Sequence, residues 1–85
     1  MILDLVLQSI EAFRERNGVA GPVRGYVSVN DARTLSGGEL RTPQGMPPTC
    51  FGRQNLGVWE WYFDTGFEDG HLRLESADVR EEFTI

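Results

Sequence analysis

The chain has 85 residues, a formal net charge of −5 and a single cysteine. This length accommodates one domain, so we expect a single domain over residues 1–85. Nucleic acids and anionic membranes bind clustered positive charge, and the acidic balance argues against both as partners. A lone cysteine cannot form an internal disulfide, and a small domain without disulfides is typical of the reducing cytoplasm.

The first segment has the hydrophobic periodicity of a helix. Apolar side chains recur at the spacing of one helical face, at Leu3, Val6, Leu7, Ile10 and Phe13. Gly18 follows, and glycine readily adopts the left-handed conformation in which many helices end. The pattern predicts an amphipathic N-terminal helix that packs through this face.

The next part of the chain predicts one strand and a long irregular stretch. Side chains alternate in character over residues 23–29, and Asn30-Asp31 is typical of a turn. Residues 30–56 are rich in glycine and proline, with short strands predicted only near residues 39–42 and 49–51. A loop of this length is either functional or conceals further elements, and both alternatives remain open.

The dipeptide Asp69-Gly70 is a strong signal for a two-residue hairpin turn. The register that it sets pairs Phe67 with Leu72, and Asp64 with Glu75. One face of the hairpin then carries the apolar side chains Trp59, Trp61, Phe63, Phe67, Leu72 and Leu74. We expect this face, with both tryptophans, to pack on the helix.

The last segment, residues 79–85, predicts a final strand with Phe83 and Ile85 directed inward; a helical turn capped by Ser76 is the alternative. The predicted fold class is α+β, with the N-terminal amphipathic helix packed on a curved antiparallel sheet of four or five strands. Curvature of this kind allows a barrel-like shape. In element order, one helix followed by four or five strands, the chain resembles the helix-capped barrels of the Sm-like fold. The resemblance includes no sequence motif and implies architecture alone.

Negative charge is concentrated in the last third of the chain. Residues 60–85 contain eight acids and two arginines, whereas residues 1–59 contain five acids and six arginines. In the predicted hairpin four of these acids lie on one solvent-facing surface, where Asp64 and Glu75 would repel each other. Such a face either keeps the protein soluble or serves as a docking surface for a basic protein.

We therefore expect a small cytoplasmic, non-enzymatic interaction protein of the inhibitor, immunity or antitoxin type, a bacterial accessory protein that docks a basic partner. Tyr62 points away from the predicted apolar face and is the best candidate for an exposed anchor. The candidate partner-binding residues are Glu60, Tyr62, Asp64, Glu68, Arg73 and Glu75.

The alternative function is a small-molecule-binding homo-oligomeric domain, in which the loop over residues 42–55 covers a pocket lined by Phe51 and Trp59. Catalysis has little support. His71 is the only histidine, and its neighbours have no recognised metal-ligand spacing. The residues around Cys50 match no nucleophile signature. We predict no catalytic residue, no metal site and no cofactor.

Overall fold

The computed structural model describes all 85 residues. The chain forms two helices and a five-stranded sheet, joined by loops and turns. In chain order the elements are α1 (Ile2–Asn17), β1 (Arg24–Val27), α2 (Val29–Leu35), β2 (Cys50–Asn55), β3 (Val58–Phe63), β4 (His71–Ser76) and β5 (Val79–Thr84). The α+β fold class is confirmed. Neither helix is long and apolar enough to cross a membrane.

The sheet is mixed and open. Its strands lie in the order β2-β3-β1-β4-β5, with β1 and β3 parallel and every other neighbouring pair antiparallel. The strands β2 and β5 form two free edges, so the sheet is not closed. The predictions of a wholly antiparallel sheet and of a barrel-like shape are therefore wrong, and the likeness to Sm-like barrels does not extend to closure.

The predicted turn at Asp69-Gly70 forms, but it does not join two paired strands. The N–H of His71 donates to the carbonyl of Glu68 at 3.2 Å, and Gly70 has a φ of +87°. A positive φ at the second central residue alone is typical of a type II turn, not of the hairpin types. The turn leads into β4 from the loop that follows β3.

The strand β1 lies between β3 and β4, and this insertion makes the predicted hairpin register wrong. Phe67 does not pair with Leu72, whose partner is Phe83 on β5. Asp64 does not face Glu75, which pairs with residues on β1 and β5. A turn signal fixes only the local reversal of the chain, and β1 provides a backbone partner for both strands at once.

Both helices pack on the same face of the sheet. The core consists of Val6, Ile10, Phe13, Val23, Val27, Ala32, Val58, Trp61, Leu72 and Leu74. Leu3 and Leu7, predicted on the buried stripe of α1, remain 40% and 43% exposed. Trp59 was predicted to lie in the core, but its side chain is 42% exposed. It lies at the start of β3, beside the α1–β1 loop.

The second helix was not predicted. Asn30-Asp31 lies in the first turn of α2, although these residues were expected to form a turn after β1. The hydroxyl of Ser28 accepts the N–H of Asp31 at 3.0 Å and caps the helix. The signal for this helix is the spacing of the capping serine and an acidic residue three positions later.

Other boundaries follow the sequence pattern. The helix α1 ends at Gly18, which has a φ of +63°. The strand predicted near residues 49–51 is the start of β2, whereas residues 39–42 form no strand. The strand predicted at the end of the chain is β5, and both Phe83 and Ile85 pack against the core as expected.

Candidate interaction surface

The face of the sheet opposite the helices is covered by neither helix, and the loop between β3 and β4 places Phe67 on it. We call it the open face; its residues are Arg24, Tyr26, Arg53, Glu60, Tyr62, His71, Arg73, Glu75, Arg80 and Glu82. All are half-buried or exposed, and they alternate along β1 and β4 with buried core residues. Side chains from all five strands therefore lie together on the open face.

A row of alternating charge crosses the open face, with one residue from each strand. In sheet order this charged row is Arg53, Glu60, Arg24, Glu75 and Arg80, and each neighbouring pair are cross-strand partners. Opposite charges in adjacent positions of a sheet stabilise it, whereas like charges destabilise it. The alternation satisfies this rule at every step.

Hydrogen bonding holds Arg24 at the centre of the charged row. Its Nη2 lies 3.4 Å from Glu75 Oε1. Burial by itself lowers the pKa of Arg24, but hydrogen bonds to Tyr26 and Glu75 outweigh burial and raise the pKa above its ordinary value. The hydrogen bond to Glu75 orients the guanidinium along the charged row.

Next to the charged row lies a continuous group of stacked side chains, which we call the aromatic slab: Tyr62, Tyr26, Arg73 and Phe67. The rings of Tyr26 and Tyr62 stack at 5.3 Å between centroids, with an angle of 17° between planes. The guanidinium carbon of Arg73 lies 4.6 Å from the ring centroid of Tyr26 and 5.3 Å from that of Phe67. These distances suit cation–π contacts between the arginine and both rings.

The hydroxyl of Tyr62 links the aromatic slab to the charged row. It donates a hydrogen bond to Glu60 Oε1 at 2.9 Å. Burial and this hydrogen bond together raise the pKa of Tyr62 to about 12. The phenol therefore stays protonated and keeps its orientation across the neutral pH range.

Glu75 lies between two arginines. Besides its contact with Arg24, its Oε2 lies 2.8 Å from Arg73 Nε, a charge contact without the geometry of a hydrogen bond. The repulsion predicted between Asp64 and Glu75 does not exist. Glu75 instead holds the charged row and the aromatic slab together.

Four of the six predicted partner-binding residues lie on the open face: Glu60, Tyr62, Arg73 and Glu75. The other two, Asp64 and Glu68, lie in the loop between β3 and β4. Arg24 and Tyr26 were not predicted on this surface; they lie on it because β1 separates β3 from β4. Their alternation with Gly25 and Val27 was visible, but no local signal placed β1 at the centre.

The open face is nearly charge-balanced, because four arginines and three glutamates leave one positive charge. The acidic hairpin surface expected from the sequence does not form, because β1 and β2 contribute arginines beside the acids of β3 and β4. Among the remaining acids, Asp78 lies in the β4–β5 turn, and Glu81 pairs with Arg16 of α1 at 2.6 Å.

The loop between β3 and β4 is fastened to the start of α2. Asp69 accepts hydrogen bonds from Ser28 Oγ at 2.8 Å and from Asn30 Nδ2 at 3.2 Å. The bond from Ser28, followed by that from Asn30, lowers the pKa of Asp69. The buried Asp31 accepts the N–H of Gly70 at 2.7 Å. These contacts fix the loop that carries Asp64 and Glu68.

The residues of the alternative ligand site do not come together. Phe51 packs on Trp61 at 6.0 Å between ring centroids and borders a cavity beside the loop after α2. Trp59 lines a different cavity, next to α1 and the α1–β1 loop. Phe51 and Trp59 therefore line two separate cavities and not the single pocket expected beneath residues 42–55.

Cys50 and His71, for which no catalytic role was predicted, are also far apart. Cys50 is a fully buried free thiol on β2, whereas His71 lies on β4 with two strands between them. His71 Nε2 lies 2.6 Å from Glu82 Oε1, and its ring contacts Phe67 edge-on at 4.6 Å. No group of three or more His, Cys, Asp or Glu residues is placed to hold a metal ion.

Comparison with protein-family models, with curated proteins and with solved structures found no match for this chain. The most distinctive feature of the chain is the combination of stacked tyrosines, an arginine against two aromatic rings and alternating charges on the sheet face opposite the helices.

Proposed function

We propose that this protein is a small non-enzymatic interaction protein that docks a protein partner through the open face. The aromatic slab carries this proposal. Tyrosine and arginine are among the residues that contribute most to binding energy at protein interfaces. Here two tyrosines and an arginine stack near the middle of the sheet face opposite the helices.

The surface is organised before any partner arrives. Tyr62 is held by Glu60, and Arg73 is held between two aromatic rings and beside Glu75. These side chains lie on the central strands, and Phe67 lies on the fastened loop. Side chains that are already ordered lose little conformational entropy on binding, which favours affinity.

We propose a basic protein as the partner, because the charge of the whole chain is negative although the open face itself is nearly balanced. The net charge of −5 attracts a cationic protein from a distance, and Asp64 and Glu68 add unpaired negative charge beside the open face. At contact, the charged row requires a partner surface with the opposite alternation, which sets the register of docking. Inhibitor, immunity and antitoxin proteins act by such docking, and we propose that this protein belongs to that class. We also propose that it acts in the cytoplasm, where its single thiol stays reduced.

The test begins with a photo-crosslinking amino acid at position 62 and, as a matched control, at position 11 on the exposed side of α1. In cells of the source organism, a protein captured from position 62 and not from position 11 is the partner. Its identity then allows the binding to be measured with purified proteins.

With the purified partner, Tyr62→Ala should weaken binding about 30-fold, as expected for a hot-spot side chain. The double reversal Glu60→Arg/Asp64→Arg should slow association, with a smaller effect as salt is added. The matched control Glu11→Arg/Glu15→Arg changes the net charge by the same amount on α1, on the other side of the sheet. Equal effects of the two double reversals, or unchanged binding by Tyr62→Ala, would contradict the proposal.

A second candidate is the small-molecule-binding homo-oligomer. The observation that favours it is the partial exposure of Leu3, Leu5 and Leu7 on α1, at 40%, 41% and 43%. Light scattering after size exclusion separates the two. A monomer of 9.6 kDa at low and moderate salt supports the docking proposal, whereas a salt-resistant dimer supports the oligomer.

A further inference from the structure

We infer that a second site, on the helical side of the sheet, binds a small aromatic carboxylate. A shallow, open cavity of about 410 Å³ lies between the end of α1, the α1–β1 loop and the β2–β3 turn. Arg14, Pro22, Gly57 and Trp59 line it. This volume lies within the usual range of small-molecule pockets, roughly 300–1,000 Å³. The cavity shares no residue with the open face.

Trp59 provides an aromatic surface in this cavity. Its side chain is 42% exposed, although its neighbour on the same side of β3, Trp61, is 1% exposed. An indole left partly in water can stack on a planar ring without any rearrangement of the core. The exposed ring therefore favours a ligand with an aromatic group.

Arg14 provides a fixed and uncompensated positive charge. Its Nη1 donates to the carbonyl of Gly21 at 2.9 Å, and its Nη2 donates to the carbonyl of Gly57 at 3.2 Å. A weaker bond of 3.4 Å joins Nη1 to Val19 O. All three acceptors are neutral, and Arg14 takes part in none of the chain's ion pairs.

The N–H groups of Arg14 that form no hydrogen bond are suited to bind an anion. A guanidinium has five N–H groups, of which the three bonds above use three. No acidic residue lines the cavity. A carboxylate is the anion whose planar geometry a guanidinium matches with paired hydrogen bonds. Together with the exposed indole, this defines the ligand class as an aromatic ring that bears a carboxylate.

Benzoate is the smallest probe with both features, and the intact chain labelled with ¹⁵N is the protein to test. On titration, the indole N–H signal of Trp59 should shift and saturate. The indole N–H of Trp61 donates to Asn55 O at 2.9 Å inside the fold and is an internal control that should not move. Benzamide, which lacks the charge, and cyclohexanecarboxylate, which lacks the ring, should each bind at least about tenfold more weakly.

Two variants locate the site. Trp59→Leu should weaken benzoate binding at least about fivefold, and Arg14→Gln at least about tenfold. Arg33→Gln is the matched control, because Arg33 is exposed on α2 and forms no ion pair; it should leave the binding unchanged. If Arg14→Gln fails to fold, the comparison of benzoate with benzamide and the Trp59 variant decide the question.

The inference is overturned if benzamide binds as tightly as benzoate, because the charge of Arg14 is then unused. It is also overturned if Arg33→Gln weakens binding as much as Arg14→Gln, since the anion is then attracted by general positive charge. A benzoate titration in which the Trp59 signal does not saturate overturns it as well. None of these outcomes bears on the open face, so this site and the proposed function are tested separately.

Discussion

The indole ring of Trp61 lies against the backbone of Gly25, its partner across the parallel strands β3 and β1. A Cβ atom at position 25 would lie 2.5 Å from Trp61 Cζ3 and 2.6 Å from Cε3. The ring is 1% exposed, and its N–H is bonded to Asn55 O. Packing therefore requires a glycine at the centre of the sheet, directly behind the open face.

Gly25→Ala should lower the free energy of unfolding by about 1–3 kcal/mol, because the added methyl group overpacks the core and displaces a fixed ring. Urea denaturation measures the change. The alanine should cost less in a Trp61→Phe background, since the shorter side chain lacks the outer ring atoms of the indole. Gly21→Ala is the control, with no atom within 4 Å of its added Cβ. Equal costs in both backgrounds would contradict this account of Gly25.

Much of the fold was predictable because its signals are local. The amphipathic period of α1, the stop at Gly18 and the alternation over β4 and β5 each depend on residues close in sequence. The turn at Asp69-Gly70 belongs to the same group. The strand pairing inferred from that turn was wrong, because a turn does not determine which strand becomes the neighbour of the next.

The position of β1 could not be predicted from local patterns. Consecutive strands are neighbours in only about two-thirds of cases, and nothing in residues 24–27 marks them as the central strand. The composition of the site depends on this placement. It separates Tyr62 from Arg73 by one strand and fills the gap with Tyr26, which completes the aromatic slab.

Asp31→Ala should lower the free energy of unfolding by about 1–3 kcal/mol, because the N–H of Gly70 loses its acceptor in a partly buried place. Hydrogen exchange at the Gly70 amide should become faster at the same time. Asp78→Ala, at an exposed position in the β4–β5 turn, is the control and should change stability by less than about 0.5 kcal/mol. An unchanged exchange rate at Gly70 would refute the role given to Asp31.

The carboxyl of Asp69 should make stability depend on pH in acid. Hydrogen bonds from Ser28 and then Asn30 lower its pKa below the ordinary value of 3.8. A folded-state pKa below the unfolded one means that the carboxylate stabilises the fold above about pH 4 and that this contribution is lost as the pH falls through the folded pKa. The stability difference between the natural chain and Asp69→Asn should therefore be constant from about pH 5 to 7 and shrink below about pH 4.

A carboxyl titration followed by NMR checks the cause. In Asn30→Ala, which removes one donor from an exposed hydrogen bond, the pKa of Asp69 should move upward toward 3.8. If the pKa does not move, the contact between these two side chains does not form in solution.

Tyr62 should ionise with a pKa of about 12, instead of its ordinary value of 10.0, because burial and the hydrogen bond to Glu60 both favour the protonated phenol. In a Tyr26→Phe background Tyr62 is the only tyrosine, so its ultraviolet absorbance reports the ionisation directly. A raised folded-state pKa stabilises the fold fully below about pH 10, and this stabilisation is lost as the pH rises toward about 12.

Adding Glu60→Ala should lower the pKa of Tyr62 and shift the loss of stability to lower pH. A midpoint near 10 with and without Glu60 would mean that the anchor of the aromatic slab is not held in solution, and it would remove the argument that the open face is organised before binding.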